Sequence, residues 1–259
     1  MLPRCEMFKE IIFTPRIICF NESFVTLGKQ SVKNKPVAII WHEGMAGRSK
    51  SDIISTLYKF RLFDRDAKEI TLWLDNCAAQ NKNWALYCFF IYLINSAEVN
   101  LNLLKIKYLQ TGHTFMSADS FHHQVEKSLK QTGKVLDFDD FKKSNSSRVE
   151  VFEMNLNDFY DFADFSSRFK MNKIIPKPYL ANFVEVQFKM ESKNLFYKTK
   201  FSGELIELIF LLAKQFKSDL PKPTIRLAPK GIKKERKAKL LQKLQEMAQF
   251  GRIKRSRKL

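Results

Sequence analysis

The chain has 259 residues, is 45% hydrophobic, and carries 45 Lys and Arg against 27 Asp and Glu, a formal charge of +18. That apolar share supports a core and excludes a disordered chain. No run of about 18 apolar residues could span a bilayer, and the acid-containing start MLPRCEMFKEIIF lacks the form of a secretory signal, so an intracellular protein without a membrane partner is expected.

In chain order, RIICFNESFVTL (16–27) and KPVAIIWHEG (35–44) read as two neighbouring strands, the first over 16–20 and the second over 37–41. After Gly47 and Ser49 the period changes, with Ile53, Leu57 and Phe60 at helical spacing. EITLWLDN (69–76) is a third strand, NKNWALYCFFIYLINS (81–96) a helix by length and apolar density, and LNLLKIKYLQTG (101–112) a fourth strand. The segment GHTFMSADSFHHQVE (112–126) opens the next helix, with Phe121, Val125 and Leu129 as its packing stripe. In residues 137–165 eight acids face three bases, and Phe159, Phe162 and Phe165 recur every three positions, which reads as an amphipathic helix. Opposite charge suggests that this acidic patch, with Asp158, Asp161 and Asp164, folds back on the basic tail when DNA is absent. ANFVEVQFKMESKNLFYKTKF (181–201) reads as a hairpin around ESKN, ELIELIFLLAKQF (204–216) as an apolar helix, and SDLPKPTIRLAPKG as a linker. In the tail, Leu240, Leu241, Leu244 and Met247 mark an amphipathic helix. Cys5, Cys19, Cys77 and Cys88 form no C-x-x-C pair, so buried reduced thiols are expected rather than a zinc site or disulfides.

Alternation of strands and helices predicts an α/β fold with a partly parallel sheet, in which functional residues collect at the carboxyl ends of strands. Glu22, Glu43, Asp75 with Asn76, and His113 hold those positions. On the 112–126 helix, Asp119 and Glu126 lie seven residues apart, nearly two turns, with His122 and His123 beside that line. The face is either a solvated polar surface or a carboxylate and imidazole site. Asp75 and Asn76, followed by Gln80, Asn81 and Asn83, are either a helix cap or a carboxylate whose amide neighbours orient water or phosphate. Carboxylates converging from different elements are what two-metal phosphoryl transfer with Mg²⁺ or Mn²⁺ needs. A His113, His122 and His123 site for another hydrolysis, preferring Zn²⁺, is a third reading.

Residues 221–259 hold 14 Lys and Arg against Glu235 and Glu246. A tail of this kind attracts a polyanion by counterion release, and KKERKAK and RIKRSRKL also have the form of a nuclear-import signal. A merely solvated basic terminus is the plain alternative. The candidate nucleic-acid contacts are Lys233, Lys234, Arg236, Lys237, Lys239, Arg252, Lys254 and Arg255, with DNA as the expected partner and RNA as the second candidate.

IICFNESFVTLG, IIWHEGMAGRSKSD, LWLDNCAAQNKNWALY, GHTFMSADSFHHQVE and VLDFDDF together resemble a transposon-associated, functionally uncharacterised family of invertebrate proteins, over about Arg16 to Phe201. The core of that family is similar to the RNase H-like fold of DDE transposases and integrases. The resemblance implies an RNase H-like mixed sheet flanked by helices over 1–136. A C-terminal extension over 137–217 (acidic and aromatic helix, β-hairpin, apolar helix) and a linker with a basic helical tail over 218–259 would follow. It also implies a nuclear, transposase-derived protein that binds nucleic acid, with metal-dependent nuclease or strand-transfer activity, or a domesticated DNA-binding or regulatory copy without it; either would be compatible with an oligomer. Catalytic and metal positions would be Asp75, Asp119 and Glu126, with Glu22 as first-strand ligand, Glu43 as its substitute, and His113, His123 and Asn76 in support. The departure from the family pattern is RIICF, which carries no Asp where an RNase H-like first strand has one.

Overall fold

The computed structural model describes residues 17–27, 35–64, 66–110, 117–132, 138–139, 142, 149–169, 178–209, 211 and 222–249. In chain order the elements are β1 (Cys19–Phe24), β2 (Val37–His42), α1 (Lys50–Phe63), β3 (Glu69–Leu74), α2 (Trp84–Ile94), β4 (Leu103–Tyr108), α3 (Ser117–Thr132), β5 (Glu150–Glu153), α4 (Phe162–Ser167), β6 (Glu185–Lys189), β7 (Leu195–Lys198), β8 (Ile206–Leu208) and α5 (Lys234–Gln249). Single helical turns lie at Ala78–Asn81, Leu156–Asp158 and Leu180–Asn182. The protein is a mixed α/β chain with two mixed sheets and flanking helices. Contacts divide it into two units, the first within 1–47, 116–156 and 227–259, the second within 48–115 and 157–226.

In the first unit the strand order is β1-β2-β5, with β1 antiparallel and β5 parallel to β2. Val37 to Trp41 are all buried, so β2 is covered on both faces, as an unbroken apolar run requires. On one face α3 lays Phe121 and Val125 against Cys19, Ala38 and Ile40, two members of the stripe expected for that helix. On the other, Phe20 stacks on Trp41 at 5.2 Å, and the indole N–H of Trp41 donates to the Gly47 carbonyl at 2.9 Å. Each fully buried side chain of this size contributes about 1.5–3 kcal/mol.

In the second unit the order is β3-β4-β6-β7-β8, with β3 parallel to β4 and the remaining pairs antiparallel. The parallel pair needs a crossover, which α2 supplies. Ala85 to Ile94 of α2 are all buried, because the helix is sandwiched. Tyr87 and Phe90 meet Phe188 of the sheet at 6.0 and 5.5 Å, while Phe89 and Tyr92 meet Phe162 and Phe165 at 5.1 and 5.5 Å. A Ser49 and Asp52 capping box starts α1, and the buried Asp52 also holds Arg226 at 2.6 Å. Residues 224–226, expected to be linker, pair with 159–161: Arg226 N–H donates to the Phe159 carbonyl at 2.8 Å and Asp161 N–H to the Thr224 carbonyl at 2.9 Å.

Three expectations change. The first strand runs over Cys19–Phe24 rather than 16–20, so Glu22 lies inside it. Ile206–Leu208, expected to be helical, is a strand because it closes the sheet against β7, with Leu195 opposite Leu208. The single amphipathic helix expected around 159–165 is a turn, an isolated bridge at Tyr160 and the six-residue α4, although Phe159, Phe162 and Phe165 are all fully buried.

Candidate functional site

The root of the basic helix is built on the exit of β2. Lys230 N–H donates to the Met45 carbonyl at 3.0 Å and Gly231 N–H to the Gly44 carbonyl at 2.9 Å. Gly231 has φ +70°, a left-handed conformation that glycine adopts without strain, and this turns the chain into α5. One turn on, Arg236 places its guanidinium on Glu43, with Nη2 to Oε1 at 2.8 Å and Nε to Oε2 at 3.1 Å, while Ile18 N–H donates to Oε1 at 3.0 Å. Burial pushes the Glu43 carboxyl up, but the Arg236 and Ile18 hydrogen bonds and the Lys230 charge outweigh it and hold the group below its usual range. Arg236, expected to meet phosphate, is therefore an anchor, and Glu43 is its carboxylate. Leu240 is buried, whereas Lys233, Lys234, Lys237 and Lys239 are exposed. Arg252, Lys254 and Arg255 lie outside the described residues.

Asp75 and Asn76 follow β3 in the second unit. The Asp75 Oδ1 accepts Cys77 N–H at 3.2 Å and the Asn81 side-chain amide, so this carboxylate closes an Asx turn that leads into Ala78–Asn81 and ties that segment's end back to it. Beside it, Tyr108 donates its hydroxyl to the Asn81 carbonyl at 2.7 Å. Lys82 lies over the Tyr108 ring at 4.6 Å, donates to the Ala181 carbonyl at 2.9 Å, and has its ammonium pKa lowered by burial.

The other expected ligands belong to the first unit. Asp119, His123 and Glu126 are exposed on α3, on the side turned from its Phe121 and Val125 stripe, and the exposed His122 flanks that stripe with its ring 5.7 Å from that of Phe121. Glu22 is half-buried and pairs with Ile39, which puts it on the Trp41 side of the sheet, whereas α3 covers the Ala38 and Ile40 side. The first-strand carboxylate and the α3 carboxylates thus lie on opposite faces of one sheet. His113 lies outside the described residues. Among the described residues no group of three or more His, Cys, Asp and Glu is placed to hold a metal ion. Asp158, Asp161 and Asp164, expected to face the tail, have local partners: Lys59 at 2.7 Å, the α4 N-terminus, and Arg168. Burial raises the thiols of Cys19 to about 11 and Cys88 to about 12, which leaves both unreactive near neutral pH.

A further group of residues, outside the expected set, gathers on the five-stranded sheet. The face opposite α2 carries Thr71 and Trp73 of β3, Lys105 and Lys107 of β4, Gln187 and Lys189 of β6, and Phe196 and Lys198 of β7. Lys107 Nζ lies 5.3 Å from the Trp73 ring centre and Lys189 Nζ 4.1 Å from that of Phe196. Alternation in LLKIKY and EVQFK, with apolar residues inward and Lys or Gln outward, is the sequence signal for this face.

No helix among the described residues is long and apolar enough to cross a membrane. No curated protein matches the chain. No solved structure matches it either. A family model does match, over residues 51–200, more than half of the chain and running from α1 to the β6–β7 hairpin. The chain therefore belongs to the family described as the domain of unknown function DUF7869.

Proposed function

We propose that this chain is a transposase-derived, RNase H-like protein that binds DNA in the nucleus, using the basic helix α5 and the residues that follow it as its electrostatic contact. The observation that carries the reading is the anchored root of α5: the Glu43 and Arg236 pair and the Gly231 turn fix a helix whose Lys233, Lys234, Lys237 and Lys239 stay exposed. An anchored cationic helix positions charge on phosphates with less ordering cost than a free tail. The family likeness in LWLDNCAAQNKNWALY and GHTFMSADSFHHQVE, together with a mixed sheet bearing a parallel β3–β4 pair, supports the mobile-element origin. Of the two modes open to such a protein, binding without cleavage is preferred here, because Glu43, one of the two first-strand candidates, is taken by Arg236 and Asp75 Oδ1 by its own turn.

Cleavage with Mg²⁺ or Mn²⁺ is the second reading, favoured by Asp75 at the carboxyl end of β3, where both described hydrogen bonds use only Oδ1. Purified protein with labelled DNA, intact or pre-cut, separates the two. Salt-sensitive binding without cleavage in either metal supports the proposal. Metal-dependent cleavage that vanishes in Asp75→Asn, at equal stability and affinity, replaces it with the enzyme reading. No DNA binding at low salt overturns both. Nuclear accumulation of the fluorescently tagged chain, lost when the C-terminal lysines and arginines are neutralised, is the expected cellular result.

A further inference from the structure

We infer that the outward face of the five-stranded sheet is a stacking platform for single-stranded DNA, with Trp73 and Phe196 as the two base-stacking rings and Lys105, Lys107, Lys189 and Lys198 as the phosphate contacts. The inference rests on the DNA-binding reading above and adds a second, separate contact surface to it.

The sheet has a covered side and an open one. Leu104, Ile106, Tyr108, Val186, Phe188 and Leu195 are buried on the α2 side, whereas on the opposite side Thr71, Trp73 and Lys189 are exposed, Trp73 by 39%. Large aromatics on a solvent-facing sheet are costly unless they meet a partner, and here each has a lysine beside it. One row across the strands reads Trp73, Lys107, Glu185, Lys198, and the next reads Thr71, Lys105, Gln187, Phe196, Glu207. Within these rows Glu185 is buried, 3.9 Å from Lys107, and Glu207 accepts the Asn194 amide at 2.8 Å, while the exposed Glu69 lies one row further on, in line with Leu103 and Lys189.

Trp73 on β3 and Phe196 on β7 are three strand spacings apart, roughly 14 Å. This suits a short extended strand crossing the sheet, as in other open sheets where aromatic side chains stack two or three bases. Each ring has a lysine over it, Lys107 and Lys189, placed to meet the phosphate next to a stacked base. Duplex DNA cannot use the rings, because its bases are already stacked on one another. The face therefore selects single strands, and the α5 lysines select charge alone.

The test uses the full chain and two probes, a labelled deoxythymidine oligomer of about 12 nucleotides and a labelled duplex of about 20 base pairs. Trp73→Ala and Phe196→Leu are each expected to weaken oligomer binding by about fivefold or more and to leave duplex binding within about twofold. Trp73→Phe, which keeps a ring, retains oligomer binding, so a loss in Trp73→Ala with unchanged circular dichroism is not misfolding. Replacing Lys233, Lys234, Lys237 and Lys239 by Ala weakens the duplex instead. If the ring variants leave the oligomer unchanged while the lysine variant loses the duplex, the platform is overturned and the DNA-binding proposal stands. Ring-dependent oligomer binding without duplex binding upholds the platform and removes the α5 contact. Failure to bind either probe removes both, and a uridine oligomer bound more than tenfold tighter overturns the assignment to DNA.

Discussion

Glu43 is surrounded by donors: the Arg236 guanidinium on two sides and the Ile18 amide on a third. Glu43→Gln keeps the shape, removes the charge and weakens the contact with Arg236, so a loss of about 1–2 kcal/mol is expected in urea unfolding, the figure for a charged hydrogen bond that solvent partly reaches. Because the folded carboxyl sits below its unfolded value, its contribution is complete above the ordinary glutamate range, about pH 4.3. It disappears as pH falls through the lower folded value, and the wild type and Glu43→Gln curves should converge there. Asp75 differs in kind, since Asn can accept the same Cys77 and Asn81 hydrogen bonds through its carbonyl oxygen. Asp75→Asn should stay within about 0.5 kcal/mol of wild type and Asp75→Ala should cost about 1 kcal/mol, as for loss of part-buried hydrogen bonds. A larger loss in the Asn variant would mean that the charge itself has a structural partner.

Elements with one strong period were legible from the chain alone. β2 as an unbroken apolar run, β3 and β4 by alternation, α2 by apolar density and α3 by its Phe121 and Val125 stripe all stand where their patterns put them. ELIELIF misled because Leu205, Ile206, Leu208 and Ile209 satisfy a helical stripe as well as a short strand, and pairing with β7 decides between them. The carboxylates were legible as residues but not as a site. Nothing local tells Glu43 that its partner is Arg236, 193 residues on, and the pleat that separates Glu22 from α3 depends on a register set by β2. Trp73 and Phe196 show the same limit, since only strand order makes them neighbours on one face. The β6–β7 hairpin was read correctly around ESKN, and its loop carries Glu191 at φ 62°, strained for a residue with a side chain. Glu191→Gly should raise stability by about 0.5 kcal/mol, seen as a higher urea midpoint with an unchanged slope.

For the molecule as a whole, the charge of +18 gives the proposed DNA binding a salt dependence that can be measured. If the four exposed lysines Lys233, Lys234, Lys237 and Lys239 each meet a duplex phosphate, replacing them by Ala should make the plot of log affinity against log salt shallower by about 3.6. An unchanged slope would place the duplex contact elsewhere. The division of the chain into units has a different consequence, which concerns the order of synthesis. The second unit has all its parts once Arg226 is made, whereas the first must wait for α5. At translation rates of about 5–20 residues per second, Glu43 waits roughly 10–40 s for Arg236. During that interval the newest part of the chain is finishing one unit while an apolar strand made much earlier, β2, lacks part of its own, so the interval between Glu43 and Arg236 is when a chaperone has most to cover.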